Sequence, residues 1–224
     1  EHGADYVFIL NPDTIIKNGT LIKLIEVAES NSRFGIIGPI IAENRQMVWG
    51  GRIKWLRSEL NHNHLEPSPQ NTHGNLYTTT YKLPWVFYIP GTAMLIKRQV
   101  VEKIGPLDER YFLYFEDTDY CMRARKAGYE LAIALKAQVT HVCSASTSQL
   151  GSALLLRYHF RNAHLFNLKN GPWYIKLALP FWSFFIIIKQ IIKVILMPSR
   201  REISRAILAG TCDFYMGRLG KINA

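Results

Sequence analysis

Cysteine is scarce in this chain, and long apolar runs without a charge are missing. The three cysteines, Cys121, Cys143 and Cys212, lie far apart and form no C-x-x-C pair, so neither a disulfide framework nor a zinc finger is supported. Internal repeats and low-complexity tracts are also absent from the sequence. With 224 residues, 48% of them hydrophobic, the chain can bury one sizeable core. We therefore expect one globular domain with an appendage, in a reducing compartment.

Acidic residues are almost missing from the last third of the chain. Residues 1–150 hold 16 Lys and Arg against 15 Asp and Glu, whereas residues 151–224 hold 11 against two. The formal net charge of +10 therefore belongs to the tail, where it lies beside an apolar segment and is not spread over a nucleic-acid-binding face. This distribution indicates that nucleic acid is not a partner.

The apolar segment of the tail, residues 172–197, is rich in aromatic side chains but is broken by three lysines and a proline. Its longest uncharged run has 12 residues, fewer than the roughly 20 that a transmembrane helix needs, which favours an interfacial or re-entrant helix. Basic side chains beside such a segment suit anionic headgroups. The alternative is a core helix packed on the preceding domain. We predict a domain over residues 1–150 and a helical, basic, membrane-associating tail over 151–224.

Alternating strand and helix patterns indicate an α/β fold. The short apolar run 6–10 predicts a strand buried on both faces, and 35–41 predicts another strand. Between them, residues 20–30 carry apolar positions at helical spacing. Two more short strands are expected, over 131–135 and 138–142. The succession of strand, helix and strand is typical of an α/β sheet.

The turn Asn11-Pro12-Asp13 follows the first strand directly. Ligands bind at the carboxyl ends of strands in open α/β sheets, so the carboxylate of Asp13 is a candidate ligand there. Asn-Pro-Asp is also an ordinary turn sequence. His141 ends the last predicted strand, and a structural histidine is the alternative at that position.

Three carboxylates, Glu116, Asp117 and Asp119, fall in the first turn of a helix predicted over 116–127. The helix macrodipole accounts for one or two acids there, each stabilised by about 0.3–1 kcal/mol. Three acids within four residues repel one another, which raises the pKa of one member and suits it to act as a base. The cluster is therefore a candidate catalytic site.

Together these motifs resemble one particular family. The resemblance is carried by residues 8–14 (FILNPDT), 90–98 (PGTAMLIKR), 105–109 (GPLDE), 115–125 (FEDTDYCMRAR) and His141. Their order and spacing are similar to those of the large inverting GT-A glycosyltransferases of the family-2 type, particularly the rhamnosyltransferase-like branch. The resemblance covers about residues 1–170. It implies an α/β fold with a GT-A-type, Rossmann-like mixed sheet flanked by helices, incomplete at its N-terminus, with an amphipathic helical tail at the C-terminus.

The resemblance also implies a metal site. In this family a D-x-D-type motif holds a divalent cation, Mg²⁺ or Mn²⁺, which bridges the diphosphate of a nucleoside-diphosphate sugar. Asp13 matches the main carboxylate ligand of that motif, and His141 matches the second metal-side residue. Asn11 stands at the first position of the motif, where it contributes to donor binding.

Further residues match the reacting side of the family's site. Asp117 matches the general base, Glu116 and Asp119 lie beside it, and the Gly91-Thr92 turn matches the segment that lines donor sugar and acceptor. The implied reaction is inverting transfer of a sugar, rhamnose in this branch, to a lipid-linked or polysaccharide acceptor. The implied location is peripheral, on the cytoplasmic side of the cell membrane at an anionic surface.

A second hypothesis comes from another functional class. The strands that bind the nucleotide base and ribose in the family have no counterpart before the strand at residues 6–10. A non-catalytic, membrane-associated remnant or partner subunit that lacks donor binding would share the same motifs. The two hypotheses differ in whether the chain binds a sugar nucleotide.

Overall fold

The computed structural model describes residues 3–43, 46–56, 60–62, 76–78, 85–142 and 151–222. These residues form two compact units. The first unit consists of residues 1–53, 60–107 and 120–143. The second consists of residues 54–59, 108–119 and 144–224. Each unit is described separately.

Up to residue 142 the described residues contain ten strands and three helices. The strands are β1 (Tyr6–Leu10), β2 (Thr14–Ile16), β3 (Phe34–Glu43), β4 (Gln46–Val48), β5 (Gly51–Lys54), β6 (Leu60–His62), β7 (Leu76–Thr78), β8 (Trp85–Tyr88), β9 (Ala93–Lys97) and β10 (Glu130–His141). The helices are α1 (Thr20–Glu29), α2 (Arg98–Ile104) and α3 (Glu116–Lys126).

The main sheet of the first unit is mixed. Its strands follow the order β1-β9-β3-β10-β2, with β4 also paired to β3 and β7 to β10. Strands β3 and β10 are parallel, whereas β9 runs antiparallel to both β1 and β3. The carboxyl ends of β1, β3 and β10 therefore meet at one edge of the sheet, together with the start of β9. The Asn11-Pro12-Asp13 turn, the Gly91-Thr92 turn and His141 lie at this edge.

The core of the first unit lies on both faces of β3, whose first eight residues are buried. On one face Leu24 and Ala28 of α1 pack with Ile37, and on the other Ile36 packs with residues of β9, β10 and α3. Each buried Leu or Ile side chain of this core contributes about 1.5–3 kcal/mol to folding. Gly38 is required by this packing, because an added Cβ would lie 2.8 Å from Ile89 Cγ2.

Two strands differ from the sequence predictions. The two strands expected over 131–135 and 138–142 are one strand, β10, because pairing with β3 continues across a register shift between Ala134 and Gln138. Strand β1 is not buried on both faces, since Val7 is 43% exposed. Among the described residues β1 pairs with β9 alone.

The second unit is built on helices α4 (Ser152–Asn170), α5 (Trp173–Leu196) and α6 (Arg201–Tyr215), with a 3-10 turn at Pro198–Arg200. Helix α6 packs on both α4 and α5. Gly210 allows close approach of α6 to α4, because an added Cβ would lie 2.3 Å from the Arg157 carbonyl oxygen. Helix α5 continues without interruption through Pro180.

Candidate functional site

The Asn11-Pro12-Asp13 turn is held at the sheet edge by backbone hydrogen bonds. Thr14 N donates to the Asn11 carbonyl (3.1 Å), which closes the turn, and Val142 N donates to the Asp13 carbonyl (2.9 Å). The second bond ties the turn to the end of β10. As a result, His141 Nε2 lies 3.2 Å from Asp13 Oδ1. The structure thus brings together two side chains that are 128 positions apart in the numbering.

The Gly91-Thr92 turn lies at the same edge. Asn11 N donates to the Thr92 carbonyl (3.0 Å), and β9 begins directly afterwards, with Ala93 paired to Leu10. Gly91 and Thr92 are both half-buried. The donor-side residues predicted from the sequence are therefore neighbours in the first unit.

Glu43 joins this group, although the sequence motifs did not indicate it. Its Oε2 lies 3.3 Å from His141 Nδ1, so the imidazole stands between two carboxylates. The signal that could have found Glu43 is topological. In a parallel pair, the residues that follow two strands share an edge, and Glu43 and His141 end the parallel strands β3 and β10.

The residues present fit a divalent cation of the Mg²⁺ or Mn²⁺ type. Asp13 and His141 offer one carboxylate and one imidazole side by side, with side chains only 9% and 15% exposed. Among the described residues no group of three His, Cys, Asp or Glu side chains forms a ready cage. Such ions are commonly held by one or two protein ligands together with substrate phosphates and water. The pair is therefore suited to share an ion with a diphosphate.

The acidic turn of α3 lies in the second unit and contains three carboxylates in different surroundings. Asp117 is half-buried, and its Oδ1 accepts hydrogen bonds from Thr118 N (2.6 Å) and Thr118 Oγ1 (3.0 Å). Burial, and then the charge of the adjoining Asp117, raise the pKa of Glu116 to about 8. Glu116 is thus the member that holds its proton at neutral pH.

Asp119 is fully buried and is surrounded by donors. Lys169 Nζ and Asn170 Nδ2 each lie 2.7 Å from its carboxylate, and the Tyr111 hydroxyl donates at 3.3 Å. Lys169 also contacts Asp108 at 2.8 Å. Hydrogen bonds from Arg110 and then from Lys169 hold the pKa of Asp108 well below its usual range, despite an opposing effect of burial. This cluster fastens the end of α4 to the start of α3.

The loop that precedes the acidic turn has an unusual backbone. Phe112, Tyr114 and Phe115 have φ of 60°, 67° and 72°, a region that costs bulky residues of order 1–3 kcal/mol each. Two buried side chains of α4 hold the loop in this state. Asn162 Nδ2 donates to the carbonyls of Tyr111 (2.7 Å), Leu113 (2.6 Å) and Tyr114 (3.2 Å). Arg161 donates to the Tyr111 carbonyl at 3.0 Å.

Comparison with known proteins identifies the class. Residues 3–164 match the family model described as "Glycosyltransferase like family 2". The match covers well over half of the chain, so the chain belongs to glycosyltransferase family 2. The prediction of a GT-A-type mixed sheet flanked by helices is confirmed by this match and by the observed α/β architecture.

Two individual proteins are similar to this chain at less than 30% sequence identity. The chain is 28% identical over 178 residues to the N-acetylglucosaminyl-diphospho-decaprenol L-rhamnosyltransferase of Mycobacterium tuberculosis, covering 75% of this chain and 57% of the relative. It is 26% identical over 175 residues to the low-salt glycan biosynthesis hexosyltransferase Agl10 of Haloferax volcanii, covering 74% and 51%. The chain thus spans about half the length of these curated relatives.

A solved structure is also similar. The mannosyltransferase PcManGT from Pyrobaculum calidifontis, in complex with GDP-Man and Mn²⁺, matches with a TM-score of 0.42 and 10% sequence identity. The match covers 96% of this chain and 63% of that one.

Proposed function

We propose that this chain carries out inverting transfer of a sugar from a nucleoside-diphosphate sugar to a lipid-linked or polysaccharide acceptor in cell-envelope glycan synthesis. The observation that carries the proposal is the convergence of Asp13 and His141 at the sheet edge of a family-2 glycosyltransferase. Rhamnose is the sugar we favour, because the mycobacterial relative is named a rhamnosyltransferase that acts on a diphospho-decaprenol.

The chemistry requires a base for the acceptor hydroxyl. We assign this role to Asp117, whose carboxylate is only half-buried and accepts hydrogen bonds from the Thr118 backbone and hydroxyl. The acceptor oxygen forms a bond to the anomeric carbon while its proton passes to the carboxylate. The bond from the anomeric carbon to the diphosphate breaks at the same time, and the leaving nucleoside diphosphate takes the electron pair. A single displacement of this kind inverts the anomeric centre.

The leaving diphosphate would be held at the sheet edge. A bound Mg²⁺ or Mn²⁺ would supply Lewis-acid stabilisation of the charge that develops there, with Asp13 and His141 as its protein ligands. Donation of the His141 Nδ1 hydrogen to Glu43 would leave the Nε2 lone pair on the side of Asp13. Such a carboxylate partner is a usual device for orienting a metal-binding histidine. Asn11 contributes a neutral group to the donor side.

We further propose that α5 associates peripherally with an anionic membrane surface. Its buried residues form one stripe, Ile175, Leu179, Ser183, Ile186 and Gln190. With a step of about 100° per residue, seven of the exposed apolar side chains lie on nearly the opposite side: Trp173, Leu177, Phe181, Phe184, Ile188, Ile191 and Ile195. The three lysines of the helix fall outside this apolar face. An apolar face with basic flanks is typical of a helix that lies in the interface.

A membrane span is the alternative for α5. In the part of the chain that the structure describes, this helix of 24 residues is long and apolar enough to cross a bilayer. The sequence interpretation rested on an uncharged run of 12 residues, and the continuous helix is twice that length. We favour the interfacial arrangement because one side of α5 packs against α6 and because Lys189 and Lys193 lie within the helix.

The transfer reaction tests the proposal. Asp117→Asn should lower turnover with a nucleoside-diphosphate sugar and a polyprenyl-diphosphate acceptor about 10²–10⁴-fold, while donor binding measured by calorimetry stays nearly unchanged. Glu109→Gln, an exposed acid of the same unit, serves as the matched control and should be active. Wild-type turnover in the Asp117 variant would contradict the assignment. No donor binding by the unaltered chain would favour the non-catalytic remnant instead.

A further inference from the structure

We propose that a small cationic cavity in the second unit binds a phosphate group, the anionic part of a diphosphate-linked lipid acceptor. The cavity has a volume of about 190 Å³. It is lined by Arg157, Arg161, Asp213, Arg218, Leu219, Lys221 and Ile222. Pockets for whole small molecules usually measure about 300–1,000 Å³, so this cavity suits one ionic group better than a sugar nucleotide. The choice of acceptor phosphate rests on the proposed function.

The charge balance of the cavity favours an anion. Four basic side chains line it, against the single carboxylate of Asp213. That carboxylate is occupied by Arg157, whose Nε and a terminal nitrogen lie 2.6 and 3.1 Å from its two oxygens. A bidentate pair of this kind is close to neutral. The charges of Arg161, Arg218 and Lys221 are therefore left without a balancing carboxylate in the lining.

Arg161 supplies a buried charge beside the cavity. Its side chain is 0% exposed, and its donors go to neutral acceptors, including the carbonyls of Gly220 (2.8 Å) and Tyr111 (3.0 Å) and the side chain of Asn162 (2.9 Å). Within the described chain no carboxylate lies at ion-pairing distance from it. A buried guanidinium pays a desolvation penalty that neutral acceptors offset only in part. An anion in the adjoining cavity would reduce that penalty.

Arg218 and Lys221 supply direct contacts. Both are exposed at the cavity wall, and neither forms an ion pair within the described residues. The backbone that carries them is fixed, because Gly220 N donates to the Arg110 carbonyl and Ile222 N donates to the Tyr158 hydroxyl, both at 2.7 Å. Two long cationic side chains on an anchored segment can close over a phosphate without reordering the fold.

Binding of inorganic pyrophosphate to the full chain tests the site. The assay is done by calorimetry in an Asp13→Asn background without divalent metal. Under these conditions pyrophosphate held through a metal ion at Asp13 does not contribute to the measured heat. Arg218→Glu with Lys221→Glu should weaken binding about tenfold or more, a difference of roughly 1.4 kcal/mol. Arg200→Glu with Arg205→Glu changes the net charge equally at exposed sites of the same tail, outside the cavity, and should bind pyrophosphate like the parent.

Two arms of the experiment separate the sources of the phosphate. Pyrophosphate represents a free anion, and phosphatidylcholine vesicles containing phosphatidic acid represent a headgroup. A loss in either arm that is greater in the cavity variant than in the Arg200 and Arg205 variant supports a phosphate site and identifies its source. Absence of binding in both arms, or equal loss in both double variants, overturns the site. Neither result depends on turnover, so failure of the proposed transfer reaction remains distinguishable.

Discussion

At the scale of single residues, His141 connects the two carboxylates of the sheet edge. Its Nε2 faces Asp13 at 3.2 Å and its Nδ1 faces Glu43 at 3.3 Å. If Glu43 orients the ring for a cation, Glu43→Ala should weaken Mn²⁺ binding about 10–100-fold, as loss of such partners usually does. Glu43→Gln keeps an acceptor for Nδ1–H and should lose less. Mn²⁺ titration followed by electron paramagnetic resonance, with a nucleoside diphosphate present, measures this without turnover.

The control for this prediction is Glu26→Ala, which removes an exposed carboxylate from α1. Its Mn²⁺ affinity should match that of the unaltered chain. Equal affinities for Glu43→Ala and Glu26→Ala would show that Glu43 has no orienting role.

Glu116 gives stability a defined dependence on pH. Its pKa is raised to about 8 in the folded chain, against about 4.3 for an unperturbed glutamate. Between these values the folded state binds more protons than the unfolded state, so the free energy of unfolding falls as pH rises. Glu116→Gln should remove this slope and be the more stable form above pH 8. Urea unfolding at pH 5 and pH 8.5 measures both, and an unchanged slope in the variant would contradict the burial of this carboxyl group.

At the scale of elements, α4 determines the backbone of the loop at residues 111–115. Asn162→Ala would leave the Leu113 and Tyr114 carbonyls without their side-chain donor and the Tyr111 carbonyl with Arg161 alone, and each unpaired buried group costs about 1–3 kcal/mol. We expect a clear fall in melting temperature together with a lower kcat, because Asp117 follows the loop directly. Asn18→Ala, at an exposed asparagine, is the control. If Asn162→Ala is as stable as this control, the hydrogen bonds from Asn162 do not hold the loop in place.

The local elements were predictable from sequence because their signals are local. Apolar spacing over residues 20–30 predicts a helix, and α1 spans Thr20–Glu29. The helix predicted over residues 116–127 is α3, which ends at Lys126, shortly before Gly128 with its φ of 94°. The family motifs also led to Asp13 and His141, which the sheet brings together.

Partners that depend on tertiary packing could not be predicted in this way. Glu43 is the last residue of a strand whose neighbour, β10, lies almost a hundred residues further along the chain. The pairing of Lys169 with Asp119 joins the end of one helix to the start of another. Nothing in the spacing of the acidic cluster shows that Asp119 is fully buried while Asp117 is not. Burial and partner identity are fixed by the fold, which single motifs do not specify.

At the scale of the whole molecule, the basic tail and the apolar face of α5 predict two cooperating contributions to membrane binding. Aromatic insertion supplies one, and each Lys or Arg near an anionic surface adds about 1 kcal/mol, which salt screens. Binding to vesicles should therefore weaken with salt and with loss of acidic lipid. Co-sedimentation across salt and lipid charge measures both dependences.

Substitutions on α5 separate this arrangement from its alternatives. Phe181 and Phe184 are 79% and 65% exposed, so Phe181→Ser with Phe184→Ser should reduce vesicle binding while leaving the fold intact. Ile22→Ser, at a 64% exposed position of α1, removes apolar surface elsewhere and should bind normally. A spanning helix would hold the chain in the membrane at any salt concentration. A helix that only completes the core would give no vesicle binding in the parent chain, because its apolar side chains would be buried in protein.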